Sequence, residues 1–354
     1  MHFTGVIYYA GYPEIAYSFR KQMGPLAAAG FHVIAMDHRC VGRTTGCNTT
    51  FSVPQANYST ASVAKDALAL VQQVLASSFG TLRSAVAIGS DYGSGVACTA
   101  AQNYPRVFTA VVHMSAPHGA ATIGWSDAEL ALLDPPRKHY QAYYRTPEAN
   151  ADMMHAPAGL HDFIRGYMHF KSADWKGTRG VPATPGHPAI VGDMPHHLNT
   201  SQTPPYKAFA ELPRYYVMLK SQNMAQGVAD AMPTAEEIRT LSNRWLPEGE
   251  LAVFVEEFRR TGFQGGLNWY RGGHNGDRRQ EQAQGKALIT VPGVFIGGKA
   301  DWGVFQSPGA FESAPASFSD WRGAWLVDGA GHWLPQEQPE VLNGLLLRFL
   351  AETA

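Results

Sequence analysis

Three residues far apart in the chain have the types that covalent hydrolysis needs: Asp91, Asp301 and His332. Asp91 sits in "VAIGSDYGSGVA", where an apolar run climbs into a turn flanked by Gly89 and Gly93 and a small-residue, helix-compatible pattern then resumes. Small neighbours permit a sharp strand-to-helix turn that pushes one side chain into the open. Ser90 is out of phase for that position, with Ile88 and Tyr92 where the glycines should be, so the carboxylate takes the nucleophile's place. A carboxylate that attacks carbon becomes an ester. Its release needs a base to activate water, an acid to orient that base, and N–H donors for the oxyanion. Asp301 follows an apolar run in "GGKADWG", and His332 follows another in "DGAGHWLPQEQPE". In "YYAGYPE", Gly11 lets the backbone approach a ligand, and the N–H groups of Tyr12 and of Tyr92 are the expected oxyanion donors. Taken singly, an Asp in a glycine-flanked turn is an Asx turn or helix cap, and His332 is one of 14 histidines. Asp328, four residues before His332, is a rival acid that reads as structural because it lies too near the same loop. The joint placement, each residue directly after an apolar run and in a fixed order, favours catalysis.

The elements that must hold these residues are legible as an alternation. The runs 5–9, 31–37, 84–89 and 108–114 read as buried strands, and 17–29, 62–79 and 93–104 read as helices between them. That alternation argues for a mainly parallel sheet with helices on both faces. From about Pro117 to about Lys286 the pattern becomes helical and loop-rich, and strand signals return at 287–298 and 321–329 before a closing helix, 339–353. The expected organisation is therefore a core in two parts, 1–118 and 287–354, interrupted by a mostly helical cap at 119–286 that overlies the carboxyl ends of the strands, where open α/β sheets bind ligands. The Pro/Gly/His-bearing stretch 181–206 reads as a solvated insertion, with gating of the pocket as its alternative.

The chain order of nucleophile, acid and histidine is that of the α/β-hydrolase fold, and several motifs resemble the soluble epoxide hydrolase branch of that superfamily. "AGYPE" (10–14) is similar to that branch's H-G-x-P-E loop, "AIGSDYGS" (87–94) to its elbow, "HYQAYYRTPE" (139–148) and "TGFQGGLNWYR" (261–271) to two cap segments, and "GAGHW" (329–333) to its histidine loop. The resemblance covers nearly the whole chain. It implies that Tyr140 and Tyr270 grip an epoxide oxygen, that Gly11, Pro13, Gln141 and Trp333 border the substrate pocket, and that no cofactor is needed. Two phenols facing a developing alkoxide fit a carboxylate nucleophile, because an opened epoxide leaves its charge on oxygen. The chain departs from the family at Ala10, Ser90 and Tyr92, where histidine, histidine and tryptophan are usual, so the pocket lining and substrate range differ. The two antiparallel strands that normally open the fold are not expected here, so either the chain is a shortened variant or the strand at 31–37 is left as an exposed edge, with poorer stability or a homodimer that covers it as the expectation.

Other readings stand beside this one. A haloalkane or haloacid dehalogenase would use the same Asp, His and Asp, but Tyr92 and the Tyr140/Tyr270 pair argue against halide binding. A non-catalytic ligand-binding relative would keep the pocket, with Tyr206, Tyr215, Tyr216 and Met218 as its lining. Specialised metabolism suits the altered cap, though no residue names a substrate beyond a small, apolar one. A net charge of −1 gives no electrostatic reason for a nucleic-acid partner, and no run of about 18 apolar residues suggests a membrane span. Three cysteines, Cys40, Cys47 and Cys98, favour reduced thiols and a cytoplasmic location over a disulfide framework, although a Cys40–Cys47 bridge is sterically conceivable. His187, His196 and His197 lack the spacing or partners of a metal site.

Overall fold

The computed structural model describes residues 4–76, 84–177, 189–190, 201, 203–272 and 288–353. Nine strands are present among them: β1 (Gly5–Tyr9), β2 (His32–Met36), β3 (Ala85–Ser90), β4 (Phe108–Met114), β5 (Arg137–His139), β6 (Ala189–Ile190), β7 (Val217–Leu219), β8 (Gly293–Gly298) and β9 (Trp321–Val327). Seven form one sheet in the order β2-β1-β3-β4-β8-β9-β6. All pairings from β2 to β9 are parallel, and β6 alone is antiparallel, on β9. The strands are continuous apolar runs because both faces are covered. Val6, Tyr8, Val86, Ile88, Val112 and Ile296 pack with the helix Pro339–Thr353 on one side. On the other, Ile7, Tyr9, Ala87 and Val111 meet the helices Thr60–Ala76 and Tyr92–Asn103.

The helices fall close to their expected bounds, at Arg20–Ala28, Thr60–Ala76, Tyr92–Asn103 and Pro339–Thr353. Among the described residues β2 has no second neighbour in the sheet, so its outer edge stays unpaired. Between β4 and β8 the chain builds a separate layer: the antiparallel pair β5–β7 and helices at Gly159–Lys171, Glu248–Thr261 and 264–272. Its aromatic core includes Tyr144, Phe163, Tyr167, Phe258 and Phe263. The segment is not wholly a cap, since β6, from within it, returns to the edge of the main sheet. Most of the 181–206 stretch, with His187, His196 and His197, lies outside the described residues.

The cysteine expectation needs correction. Cys40 and Cys47 are bridged, with their α-carbons 5.7 Å apart, while Cys98 is a buried free thiol. Positive φ at Cys40 and Gly42 folds the intervening loop tightly enough to bring the two sulfurs together. A pair seven residues apart can therefore bridge in a chain whose few cysteines argue otherwise. No helix among the described residues is long and apolar enough to cross a membrane.

Candidate active site

The carboxyl end of β3 carries Asp91 into the helix Tyr92–Asn103 at φ 52° and ψ −119°. A non-glycine residue rarely holds that backbone, so the turn must be enforced by its surroundings. Close approach supplies the enforcement: a Cβ on Gly89 would lie 1.9 Å from the Gly93 carbonyl oxygen, and one on Gly93 2.1 Å from the Tyr9 carbonyl oxygen. The carboxylate that emerges is 6 % exposed. The Tyr12 N–H donates to its Oδ1 at 3.1 Å from the loop after β1. Gly11 is needed there, since a Cβ would meet the Asp91 Cβ at 2.6 Å.

Two other strand ends complete the group. His332, in the loop after β9, sits with Nε2 3.6 Å from Asp91 Oδ2 and Nδ1 3.1 Å from Asp301 Oδ1, in the loop after β8. Asp301 also accepts the Ser115 hydroxyl at 2.5 Å and the Gly303 N–H at 2.7 Å. Burial alone would raise its carboxyl, but the charge of His332 and the hydrogen bonds from His332, Ser115 and Gly303 outweigh that and hold it below the ordinary range. Nδ1 therefore has an anionic acceptor, which leaves Nε2 turned toward Asp91. Asp328, the rival acid, is instead paired with Lys299 at 3.0 Å.

Asp91, Tyr92, Tyr140, Gln141 and Tyr270 line a cavity of about 250 Å³, with Trp269, Gln306 and His118 among its other walls. Tyr140 and Tyr270 have ring centroids 5.8 Å apart. The Tyr140 hydroxyl accepts from Gln141 Nε2 at 3.3 Å and donates to Gln306 Oε1 at 3.5 Å. Burial holds both phenols protonated, and the nearby Asp91 charge adds to this. The remaining expected pocket residues are placed differently. Trp333 is fully buried under His332, its indole N–H donating to the Met168 carbonyl at 2.6 Å, and Pro13 is buried behind a cis Tyr12–Pro13 bond. Tyr215, Tyr216 and Met218 are packed in the core of the inserted layer and are not part of the lining of this cavity.

Sequence reasoning missed four groups. Ser115, at φ 65° directly after β4, reaches both Asp301 and His332 Nδ1, the latter at 3.0 Å. Glu14 is buried beside Gly11, whose N–H it accepts at 3.2 Å; burial, with the Asp91 charge, raises its carboxyl to about 7 despite the opposing pull of His332. Glu337 accepts the N–H groups of Gly331, Trp333 and Ala173 at 2.8–3.0 Å and so fixes the loop on either side of His332. Lys171, the last residue of the helix Gly159–Lys171, is 2 % exposed with Nζ 3.1 Å from His332 Nε2. Ser115 and Glu14 followed strand-end and loop signals already in view; the two others had no local sign.

Residues 6–150 match the profile of the family described as the alpha/beta hydrolase fold. Epoxide hydrolase A of Mycobacterium tuberculosis is 30% identical over 98% of this chain and 89% of its own length. Epoxide hydrolase B of the same organism is 29% identical over 98% and 90%. A solved structure of an epoxide hydrolase from an endophytic Streptomyces superposes with a TM-score of 0.71 at 27% identity, over 99% of this chain and 89% of that one.

Proposed function

Since the chain belongs to the epoxide hydrolase family of the α/β-hydrolase fold, we propose that it opens a small apolar epoxide to a vicinal diol through an ester on Asp91. The observation that carries this reading is one cavity that brings the Asp91 carboxylate and the phenols of Tyr140 and Tyr270 together. An Asp91 oxygen attacks an epoxide carbon from one side while the two O–H groups stabilise the oxygen that leaves it. One phenol gives its proton to the alkoxide, which leaves a hydroxyalkyl ester. His332 then takes a proton from water, and the resulting hydroxide attacks the Asp91 carboxyl carbon. Asp301 orients the imidazole and balances its charge. The N–H of Tyr12, already 3.1 Å from Oδ1, and the N–H of Tyr92 receive the tetrahedral oxyanion. On collapse the hydroxyl proton of the tetrahedral centre passes to the departing alkoxide, which releases the diol and restores the carboxylate, and the proton held by His332 returns through solvent to the tyrosinate, so the sum is epoxide plus water to diol. The core and cap division at residues 118/119 and 286/287 belongs to the same proposal, as does a homodimer formed over the free edge of β2. A cytoplasmic location rests on composition alone, and the Cys40–Cys47 bridge weighs against it.

The test is the intact mass of a His332→Gln variant exposed separately to styrene oxide, 1,2-epoxyhexane and 1-bromohexane. A stable adduct equal to a whole epoxide, mapped to Asp91 by peptide mass spectrometry, is expected. An alkyl adduct from the bromide without one from either epoxide would move the chain to the dehalogenase reading.

A further inference from the structure

Lys171 is a buried cation with no ion pair among the described residues. Its Nζ instead lies 5.0 Å from the ring centroid of Tyr216, 5.5 Å from that of Tyr167, 5.6 Å from that of Trp333 and 5.7 Å from that of Tyr215. Four aromatic faces favour the charged ammonium in a place where water cannot. Its polar contacts are the Tyr167 hydroxyl and His332 Nε2, the latter at 3.1 Å. An ammonium has only protons to offer, so Nε2 must present its lone pair, and the imidazole proton resides on Nδ1 facing Asp301.

That arrangement answers a difficulty in the site. His332 is flanked by two carboxylates, Asp91 and Asp301, at 3.6 and 3.1 Å, and the carboxyl of Glu14, raised to about 7 by burial, belongs to the same electrostatic group from the loop after β1. Glu337 lies on its own loop, and Ser115 is its remaining polar neighbour. Carboxylates on both sides favour a protonated imidazole, and a protonated imidazole cannot take a proton from water. We propose that Lys171 is a positioning residue that keeps His332 unprotonated, supplying the positive charge the carboxylates demand so that the base remains available at neutral and mildly acidic pH. The inference rests on the hydrolytic role given above to His332 and adds a determinant of its pH range. When water enters to attack the ester, it replaces Lys171 as the partner of Nε2, and no other covalent or proton-transfer step involves the lysine.

Lys171→Met keeps the length of the side chain and removes the charge, and Lys171→Arg keeps the charge. In Lys171→Met the acid limb of kcat should move up by about 1–3 pH units, the effect of one adjacent charge, with the high-pH plateau retained within about threefold. Lys171→Arg should leave the limb near its original position. A loss in Lys171→Met that is the same at every pH would assign the residue a structural role and overturn the proposal. So would an unchanged acid limb. The wild-type protein gives a second measurement that needs no substrate or variant. Its ¹⁵N-imidazole spectrum at pH 6–7 should show His332 neutral with the proton on Nδ1; an imidazolium signal there overturns the proposal. If instead the His332→Gln adduct on Asp91 fails to form, the catalytic reading fails while the NMR result still decides the state of His332.

Discussion

Replacing Tyr270 with Phe removes one hydroxyl from the cavity wall and keeps the ring that packs edge-on to Tyr12, Tyr140 and Tyr144, at centroid distances of 5.0–5.8 Å. The change therefore isolates a proton donor from a packing element. Losing one donor to a developing oxyanion costs about 3–4 kcal/mol, or roughly 10²–10³ in rate. The lower end applies here because Tyr140 remains. Its own donated bond, to Gln306, is long at 3.5 Å, so it exchanges readily for a bond to the alkoxide. Alkylation should slow about 100-fold in Tyr270→Phe, and by more than about 10⁴-fold when Tyr140→Phe is added. The protein carries its own reporter for that step: Trp269 lies in the cavity wall, stacked on Tyr92 at 4.8 Å. Stopped-flow quenching of tryptophan fluorescence under single-turnover conditions with styrene oxide would resolve alkylation from hydrolysis. Alkylation within about threefold of wild type, with the loss confined to hydrolysis, would refute the donor role and send both tyrosines back to packing.

Two further expectations concern stability. Glu14 has its carboxyl raised to about 7 by burial, with a smaller push from Asp91, so the folded state binds a proton there more tightly than the unfolded chain does. Its contribution is fully present below the ordinary carboxylate range and is lost as pH rises through about 7. Glu14→Gln, which cannot ionise, should gain about 3 kcal/mol over wild type on moving from pH 4 to pH 8, read from urea melts at the two pH values; parallel pH profiles would contradict this. The Cys40–Cys47 bridge closes a short loop, for which chain entropy gives an upper bound of roughly 2–3 kcal/mol. Reduction, or a Cys40→Ser/Cys47→Ser variant, should lower Tm by several degrees, and an unchanged melt would mean that the loop is held by its other contacts.

Asp91, Asp301 and His332, to which the proposed mechanism gives the hydrolytic roles, were legible because each is tied to a local backbone demand. Asp91 needs glycine neighbours and a positive φ, and those glycines stand in the sequence at fixed offsets. Asp301 and His332 lie just beyond strand ends, and the apolar runs expected at 287–298 and 321–329 end within two residues of β8 and β9 as observed. Tyr140 and Tyr270 had no such signal among 15 tyrosines, and only the family resemblance singled them out. Trp333 was misplaced for a related reason. Its position beside His332 suggested the pocket, but successive side chains in a loop can point to opposite sides, and this one points into the core toward Met168. The strand β6 was invisible because two residues carry no periodicity at all.

Lys171 and Glu337 mark a deeper limit on legibility. A lysine in the last turn of an amphipathic helix has a sufficient local explanation in the helix dipole and a solvated end, and a glutamate in "WLPQEQPE" reads as a surface charge. In the fold Lys171 is buried against four aromatic rings and His332, and the half-buried Glu337 holds three backbone N–H groups. The cost of burying the Lys171 charge is met only by partners that arrive from distant segments, and those partners are set by packing rather than by sequence spacing. Nucleophile and base geometry is thus encoded locally, while the charge environment that decides their protonation is encoded by tertiary contacts. Chains that share the strand-end residues can consequently differ in the pH at which they work, and the proposal made above for Lys171 puts that difference at the end of the helix Gly159–Lys171.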